Sequence, residues 1–313
     1  MKKKMLICGG GGFLGKNAIE YFLNSGKYDI RATWYRNGDA TGIFINDVEW
    51  INADLTKIED VKKAFDGGVD VILQYAAVSS NLKDAFEKPY LHVTDNAVMN
   101  SLIFREAHET GVEHIIFPSC TVMYEDLNKP VKESDFTGFI DEQQVYYGAG
   151  KTKVYLEEMC NFYSKLGSTK FTALRQTNII GKYDKTDLNK AHFFSSMIQK
   201  INNSDDVIEV WGDGTEEKDL LPANKLMELI DFVLEGQSSN YELLNVGSGE
   251  NMTIHEIVKK VIDVSGKKLN IKFDESKPSR NIKLKLDISK AKEKFNWDNK
   301  FDMNQVIDEY NKQ

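Results

Sequence analysis

Cysteine is scarce and scattered. The three cysteines, Cys8, Cys120 and Cys160, lie far apart, are odd in number and have no metal-ligand spacing. That argues against a disulfide scaffold or a metal site, and it fits a reduced cytoplasm. A surplus of positive charge is also missing, since 48 acidic residues stand against 40 basic ones for a net charge of -8. Such a chain lacks the positive field that draws phosphate backbones, so nucleic acid is not an expected partner. Long apolar runs are absent as well. Nothing approaches the roughly 18 apolar residues of a membrane span. The apolar run behind Lys2–Lys4 stops at Gly9, too soon for a secretion signal. What remains is an ordinary soluble composition over 313 residues, enough for one large domain or a domain with a smaller companion.

Within that composition one stretch stands out, Met5 to Gly15, reading MLICGGGGFLG. Four apolar residues with the length of a buried strand run into glycines, and from Phe13 the chain reads as a helix. Strand, glycine turn and helix in that order present backbone N–H groups and a positive helix terminus to a pyrophosphate. The glycines divide the work: Gly9 permits the tight turn, Gly12 leaves room for a phosphate, and Gly15 lets the helix lie close on the strand. Phe13 and Leu14, which open the helix, join them as cofactor-binding positions.

A second strand is expected at Tyr28 to Trp34, whose end is where such a fold meets the adenosine ribose. No acid stands there. Tyr35, Arg36 and Asn37 follow instead, and a guanidinium suits a 2′-phosphate, so Arg36 favours NADP over NAD, although an arginine at a strand end is also an ordinary solvated residue. Val48 to Leu55 fits a third strand, with Asp54 either accepting from an adenine amino group or capping a helix that begins near Lys57. Val69 to Ala77 fits a fourth buried strand, and Ala76 and Ala77 at its end are small enough for a cofactor to lie against the backbone. Thr94 to Thr110 reads as an amphipathic helix and Val112 to Ser119 as a fifth strand. Strands alternating with helices at this spacing predict an α/β fold with a parallel sheet and right-handed crossovers.

Tyr147 and Lys151 come next, in YYGAGK. On a helix that starts near Tyr146 they stand at i and i+4 on one face. An ammonium beside a phenol favours its ionised form, which suits Tyr147 to proton transfer near neutrality. A pair at this spacing also arises by chance on surface helices; its place after the fifth strand of a glycine-loop fold gives it weight.

CGGGGFLG, ADL at 53–55, Ala76 with Ala77, Tyr124, YGAGK at 147–151 and Asn178 in LRQTNIIG together resemble the extended short-chain dehydrogenase/reductases. VWGDGTEEKDLL at 210–221, LLNVGSGENMTIHEI at 243–257 and FDESKPSRNIKLKLD at 273–287 look like the substrate-domain segments of the GDP-fucose synthases and related nucleotide-sugar 4-ketoreductases. The resemblance implies a Rossmann-type, doubly wound parallel sheet that binds NADP over residues 1–177, with returns near 219–247. It implies a smaller C-terminal α/β domain, 178–218 and 248–313, that binds a nucleoside diphosphate sugar. It also implies a homodimer through two long helices, Thr94–Thr110 and Tyr147–Lys165, whose apolar residues Met99, Ile103, Val154, Met159 and Phe162 serve either the interface or the core. The implied reaction is reduction of the C4 keto group of a 4-keto-6-deoxy sugar for surface polysaccharide precursors. Tyr147 would protonate the oxygen, and Lys151 would hold the tyrosine acidic and bind the nicotinamide ribose.

The sequence departs from that family in places. A serine or threonine that orients the carbonyl is replaced by Cys120, a weak donor, with Thr121 or Ser119 able to stand in if the strand end shifts by one residue. A histidine and a cysteine that exchange protons at C3 and C5 in GDP-fucose synthases correspond to His192 and Val122. An alkyl group transfers no proton, so full 3,5-epimerisation is not expected unless Cys120 moves into that role. His192 is left to exchange protons, to bind the nucleotide or a sugar hydroxyl, or simply to pack. Lys218 replaces an arginine and keeps its charge without the fork. Asn178, Trp211 and Lys218 are implied substrate contacts, with Arg280, Lys283 and Lys285 from the C-terminal segment. Two other readings remain: a 4-epimerase with tightly bound NAD, against which Arg36 counts, and a non-catalytic dinucleotide sensor, against which the Tyr147 and Lys151 pair counts.

Overall fold

Strand β1 (Lys3–Cys8) is sealed on both faces from Met5 onward, which is why it reads as an unbroken apolar run and not an alternating one. The computed structural model describes residues 2–36, 42, 44–79, 87–125, 127–185, 192–277 and 283–312. These fall into two compact units, one of Met1–Met123, Thr137–Gln176 and Met227–Leu244, the other of Tyr124–Phe136, Thr177–Leu226 and Asn245–Gln313. After β1 come α1 (Phe13–Ser25), β2 (Tyr28–Trp34), β3 (Glu49–Asn52), α2 (Ile58–Phe65) and β4 (Val71–Gln74). Next are α3 (Thr94–Thr110), β5 (His114–Cys120), α4 (Tyr147–Tyr163), β6 (Lys170–Gln176), β7 (Asn178–Ile180) and α5 (Phe193–Asn202). The chain continues through β8 (Val207–Trp211), β9 (Glu217–Pro222), α6 (Ala223–Gly236), β10 (Tyr241–Val246) and β11 (Asn251–Thr253). It closes with α7 (Ile254–Ser265), β12 (Asn270–Asp274), α8 (Ser289–Phe295) and α9 (Met303–Asn311).

The main sheet has the order β10-β6-β5-β4-β1-β2-β3. Its β1–β2, β2–β3, β1–β4, β4–β5 and β5–β6 pairs are all parallel. This is the doubly wound Rossmann order extended by one strand, and its switch point lies between β1 and β4, where such sheets open a crevice at their carboxyl ends. Four strands differ in extent from expectation, β1 beginning two residues early at Lys3. β3 is confined to Glu49–Asn52, and β5 is shifted to His114–Cys120, with Cys120 paired with Gln176. β4 stops at Gln74 and not Ala77 because the glutamine side chain takes over the pairing: its Oε1 accepts from Ala76 N–H at 3.2 Å and its Nε2 donates to Asn100 Oδ1 at 2.9 Å.

Helices α3 and α4 cover the core of the first unit. Phe104 meets Phe117 and Phe171 edge-on, each at 5.6 Å between centroids. Met99 and Ile103 are buried in this core and Met159 packs against it, so three of the five apolar residues named for a helix interface are occupied in packing. Val154 is half-buried, while Phe162 is exposed with Val98, Tyr155 and Leu166. Between α4 and the sheet lies a buried ionic cluster. Arg175 holds Glu157 through Nη2 at 2.7 Å and Nε at 3.0 Å, and Ser119 Oγ donates to the same carboxylate at 2.5 Å.

The second unit holds the sheet β11-β9-β7 and the parallel pair β12-β8. Its core joins Phe194, Ile198 and Ile201 of α5 to Val258 and Val261 of α7 and Ile307 of α9. A Ser/Thr-x-x-Glu signature starts α7: Thr253 Oγ1 accepts from Glu256 N–H at 3.1 Å and Glu256 Oε2 accepts from Thr253 N–H at 2.8 Å. Among the described residues no helix is long and apolar enough to cross a membrane, and no group of three or more His, Cys, Asp or Glu is placed to hold a metal ion.

Candidate functional site

The glycine loop is built as its spacing suggests. Gly9 has φ 73°, and a Cβ there would stand 2.7 Å from Ala76 N, so only glycine fits. A Cβ on Gly15 would collide with Gly9 O, whereas one on Gly12 would meet only Gly9 O at 3.3 Å. Gly15 is thus the packing glycine and Gly12 the open one. Gly12 caps α1 without a side chain, leaving the first-turn N–H groups at Phe13 and Leu14 as an anion-binding terminus. Thr33, which the sequence did not single out, steadies the loop by accepting from Gly9 N–H at 3.0 Å.

A cleft of about 480 Å³ opens beside this loop. Gly9, Gly12, Arg36, Asp54, Leu55, Ala76 and Ala77 all line it; Phe13, Leu14 and Gly15 do not. Its size and its glycine floor suit a dinucleotide. Arg36 is exposed, has φ 65° and lies 4.8 Å from the Tyr35 ring centroid, a left-handed conformation unusual for a non-glycine residue and typical of ligand sites. Asp54 does not cap α2, whose N-cap is Lys57. It accepts instead from Thr56 Oγ1 at 2.6 Å, and that bond, with a further one from Tyr35, holds its carboxyl below the usual range. The segment after β4 is gripped by an amide ladder that the sequence reading missed. Asn96 donates to Val78 O at 3.0 Å and accepts from Val78 N–H at 2.9 Å, while Asn100 donates to Asn96 O at 2.7 Å. Two asparagines at i and i+4 within an apolar helix face were the available signal.

Tyr147 is the first residue of α4, and Lys151 Nζ lies 5.7 Å from its ring centroid. The ammonium also reaches Gly138 O at 3.4 Å. Neither residue lines the glycine cleft; Tyr147 lines a separate depression of about 410 Å³ with Tyr90, Val93 and Gln144. Cys120 ends β5 half-buried, and burial pushes its thiol up against the pull of the Lys153 ammonium. Ser119 is removed as a substitute donor because its hydroxyl is committed to Glu157. Thr121 follows the strand, half-buried. Val122 approaches α4, its Cγ2 3.6 Å from where a Cβ on Gly150 would sit.

In the second unit, Asn178 is exposed at the start of β7 and donates to Asp219 O at 3.1 Å. Lys218 is paired with Glu216 at 2.6 Å and lies 5.5 Å from the Phe193 ring centroid. Trp211 is 49 % exposed at the end of β8, with Lys200 Nζ 5.8 Å from its ring centroid. Lys283 and Lys285 are exposed, and Arg280 lies outside the described residues. His192 is the N-cap residue of α5 and its Nδ1 stands 2.8 Å from Asp184 Oδ1. Tyr124 is buried and donates to Asn245 Oδ1 at 2.6 Å, a packing role.

A doubly wound sheet that begins with this glycine loop defines a dinucleotide-binding protein. The chain belongs to the NAD dependent epimerase/dehydratase family, whose model matches residues 5–247, and it is an NAD(P)-dependent oxidoreductase or epimerase. It is 28% identical over 234 residues to a GDP-L-fucose synthase of Sinorhizobium fredii, covering 72% of this chain and 73% of that one. It is 24% identical over 311 residues to a GDP-L-colitose synthase of Yersinia pseudotuberculosis, covering 97% and 95%. In fold it is similar to a UDP-glucose 4-epimerase of Thermotoga maritima solved with UDP-glucose, at a TM-score of 0.86 and 19% identity over 99% of each chain.

Proposed function

We propose that this enzyme uses NADPH to reduce the C4 keto group of a nucleoside diphosphate 4-keto-6-deoxy sugar, without full 3,5-epimerisation, on the way to a surface polysaccharide. The observation that carries the reading is the Tyr147 and Lys151 pair on one face of α4, 5.7 Å from ammonium to ring centroid. Likeness to a fucose synthase and a colitose synthase supports the substrate class. Bound NADPH supplies a hydride to C4. Tyr147 donates its phenolic proton to the developing alkoxide, and Lys151 stands on the same helix face beside it. Cys120 or Thr121 orients the carbonyl. Val122 has no proton to exchange, which is the reason to expect reduction alone. Asn178, Trp211, Lys218 and Lys283 are the proposed contacts to the nucleotide sugar. Val98, Tyr155 and Phe162, exposed on α3 and α4, support a homodimer through those helices.

The choice of NADPH rests on Arg36 at the rim of the cleft, where the fork of a guanidinium matches a 2′-phosphate. Arg36→Ala raises the KM for NADPH roughly 10- to 100-fold and leaves that for NADH unchanged, as the loss of charge-assisted bonds requires. Steady-state oxidation of the two cofactors checks this. NADPH is consumed in step with loss of the 4-keto sugar if the reading holds. NAD that survives dialysis, with two 4-epimers interconverted and no net cofactor use, would make the protein a 4-epimerase instead.

A further inference from the structure

We propose that Asp184, anchored by Tyr310, is a positioning residue that fixes the tautomer and direction of the His192 ring, so that Nε2 is the acceptor presented to the nucleotide sugar. The second half of that statement rests on the function proposed above; the first half stands on hydrogen bonds alone.

The Asp184 side chain has no exposed surface, whereas that of His192 is 51% exposed. Two donors and the His192 ring converge on the carboxylate. Oδ1 takes Lys185 N–H at 2.8 Å and faces His192 Nδ1 at 2.8 Å, and Oδ2 takes the Tyr310 hydroxyl at 3.1 Å. The direction of the Tyr310 bond is settled by its other partner. Gly181 N–H donates to the Tyr310 oxygen at 2.9 Å, so the phenolic proton is left to point at Asp184. Burial pushes ionisation of that phenol up, with the Asp184 charge adding to it, so Tyr310 stays a donor. A carboxylate that only accepts requires Nδ1 of the neutral imidazole to carry the proton, which leaves the lone pair on Nε2.

The support reaches across the second unit. Asp184 and Tyr310 are 126 positions apart, and the last helix, α9, is recruited to hold a residue that follows β7. Tyr310 is itself fixed, since its ring meets Phe194 edge-on at 5.4 Å between centroids and it belongs to the core with Val306 and Ile307. A histidine that merely filled space at the start of α5 would gain nothing from a buried carboxylate held in this way. Burying one is costly unless its bonds are used, and a carboxylate behind Nδ1 is how a histidine is aimed with Nε2 forward.

The test reads the tautomer directly, by long-range 1H–15N spectra of the full chain with 15N-labelled histidine, taken where the ring is neutral and assigned by loss of one signal in His192→Gln. Wild-type His192 should show a protonated Nδ1 and an unprotonated Nε2. Asp184→Ala removes the acceptor behind Nδ1 and should leave a mixture of the two forms, whereas an asparagine would keep its amide oxygen on Lys185 N–H and the tautomer with it. Tyr310→Phe serves as a second, conservative variant: it keeps the carboxylate and so the Nδ1–H tautomer, and loses one anchor of its direction. In turnover, Asp184→Ala and His192→Gln should each lower kcat/KM for the nucleotide sugar roughly 10- to 100-fold, and the double variant should be no worse than either. An Nε2–H tautomer in the wild type, or an Asp184→Ala protein with unchanged tautomer and turnover, would overturn the inference. A protein with the Nδ1–H tautomer that turns over no keto sugar would keep Asp184 as the positioning residue and discard the ketoreductase.

Discussion

Tyr147→Phe lowers NADPH-dependent reduction of the 4-keto sugar by about 10²- to 10⁴-fold, the usual share of a positioned general acid. The phenol stands at the start of α4, with the Lys151 ammonium 5.7 Å from its ring centroid. Removing one oxygen deletes the donor without opening a cavity, so NADPH binding, followed by quenching of protein fluorescence, stays within about twofold. Retention of more than about a tenth of the turnover would place the acid elsewhere. Cys120 is then the first candidate, although burial holds its proton tightly.

The largest expected effect on stability comes from Arg175→Met. Arg175 and Glu157 are both buried, and the pair is fork-like, with bonds of 2.7 and 3.0 Å. Taking away the guanidinium strands the carboxylate with Ser119 Oγ as its remaining donor from this cluster, at a cost of about 3–5 kcal/mol. The unfolding midpoint falls on the order of 10 °C. Adding Glu157→Leu restores most of the loss, because the cost comes from a single unpaired charge and not from the absence of the pair. Thermal melts of the two single variants and the double variant measure the coupling. A fall below about 1 kcal/mol for Arg175→Met alone would mean that water reaches the site.

The features that read clearly in the sequence are those in which one residue type has one local use. The apolar run of β1 and the glycines with positive φ or no room for a Cβ are of this kind. They need nothing from distant parts of the chain. Strand ends were less legible, because the end of β4 is set by a bond from Gln74 to Asn100, 26 positions away. The same limit applies to Ser119. Its spacing permits a role at the carbonyl, but its partner is decided by Glu157 and Arg175 on two other elements. The apolar residues of α3 and α4 fit both an interface and a core by period alone, and Met99 and Ile103 went to the core. Asp184 and Tyr310 gave no signal, since neither belongs to a motif and they meet only once α9 is in place.

The most direct measurement is oxidation of NADPH by the purified protein offered GDP-4-keto-6-deoxymannose or dTDP-4-keto-6-deoxyglucose in deuterated water, with the product examined by NMR. The account predicts that one of the two sugars is reduced at C4 with NADPH consumed in equal amount, and that the hydrogens at C3 and C5 are not both exchanged, because Val122 stands where a second acid/base group would be needed. Deuterium at both carbons with inversion would contradict it and give the exchange to His192 and Cys120 together. No NADPH oxidation with either sugar would contradict the ketoreductase itself.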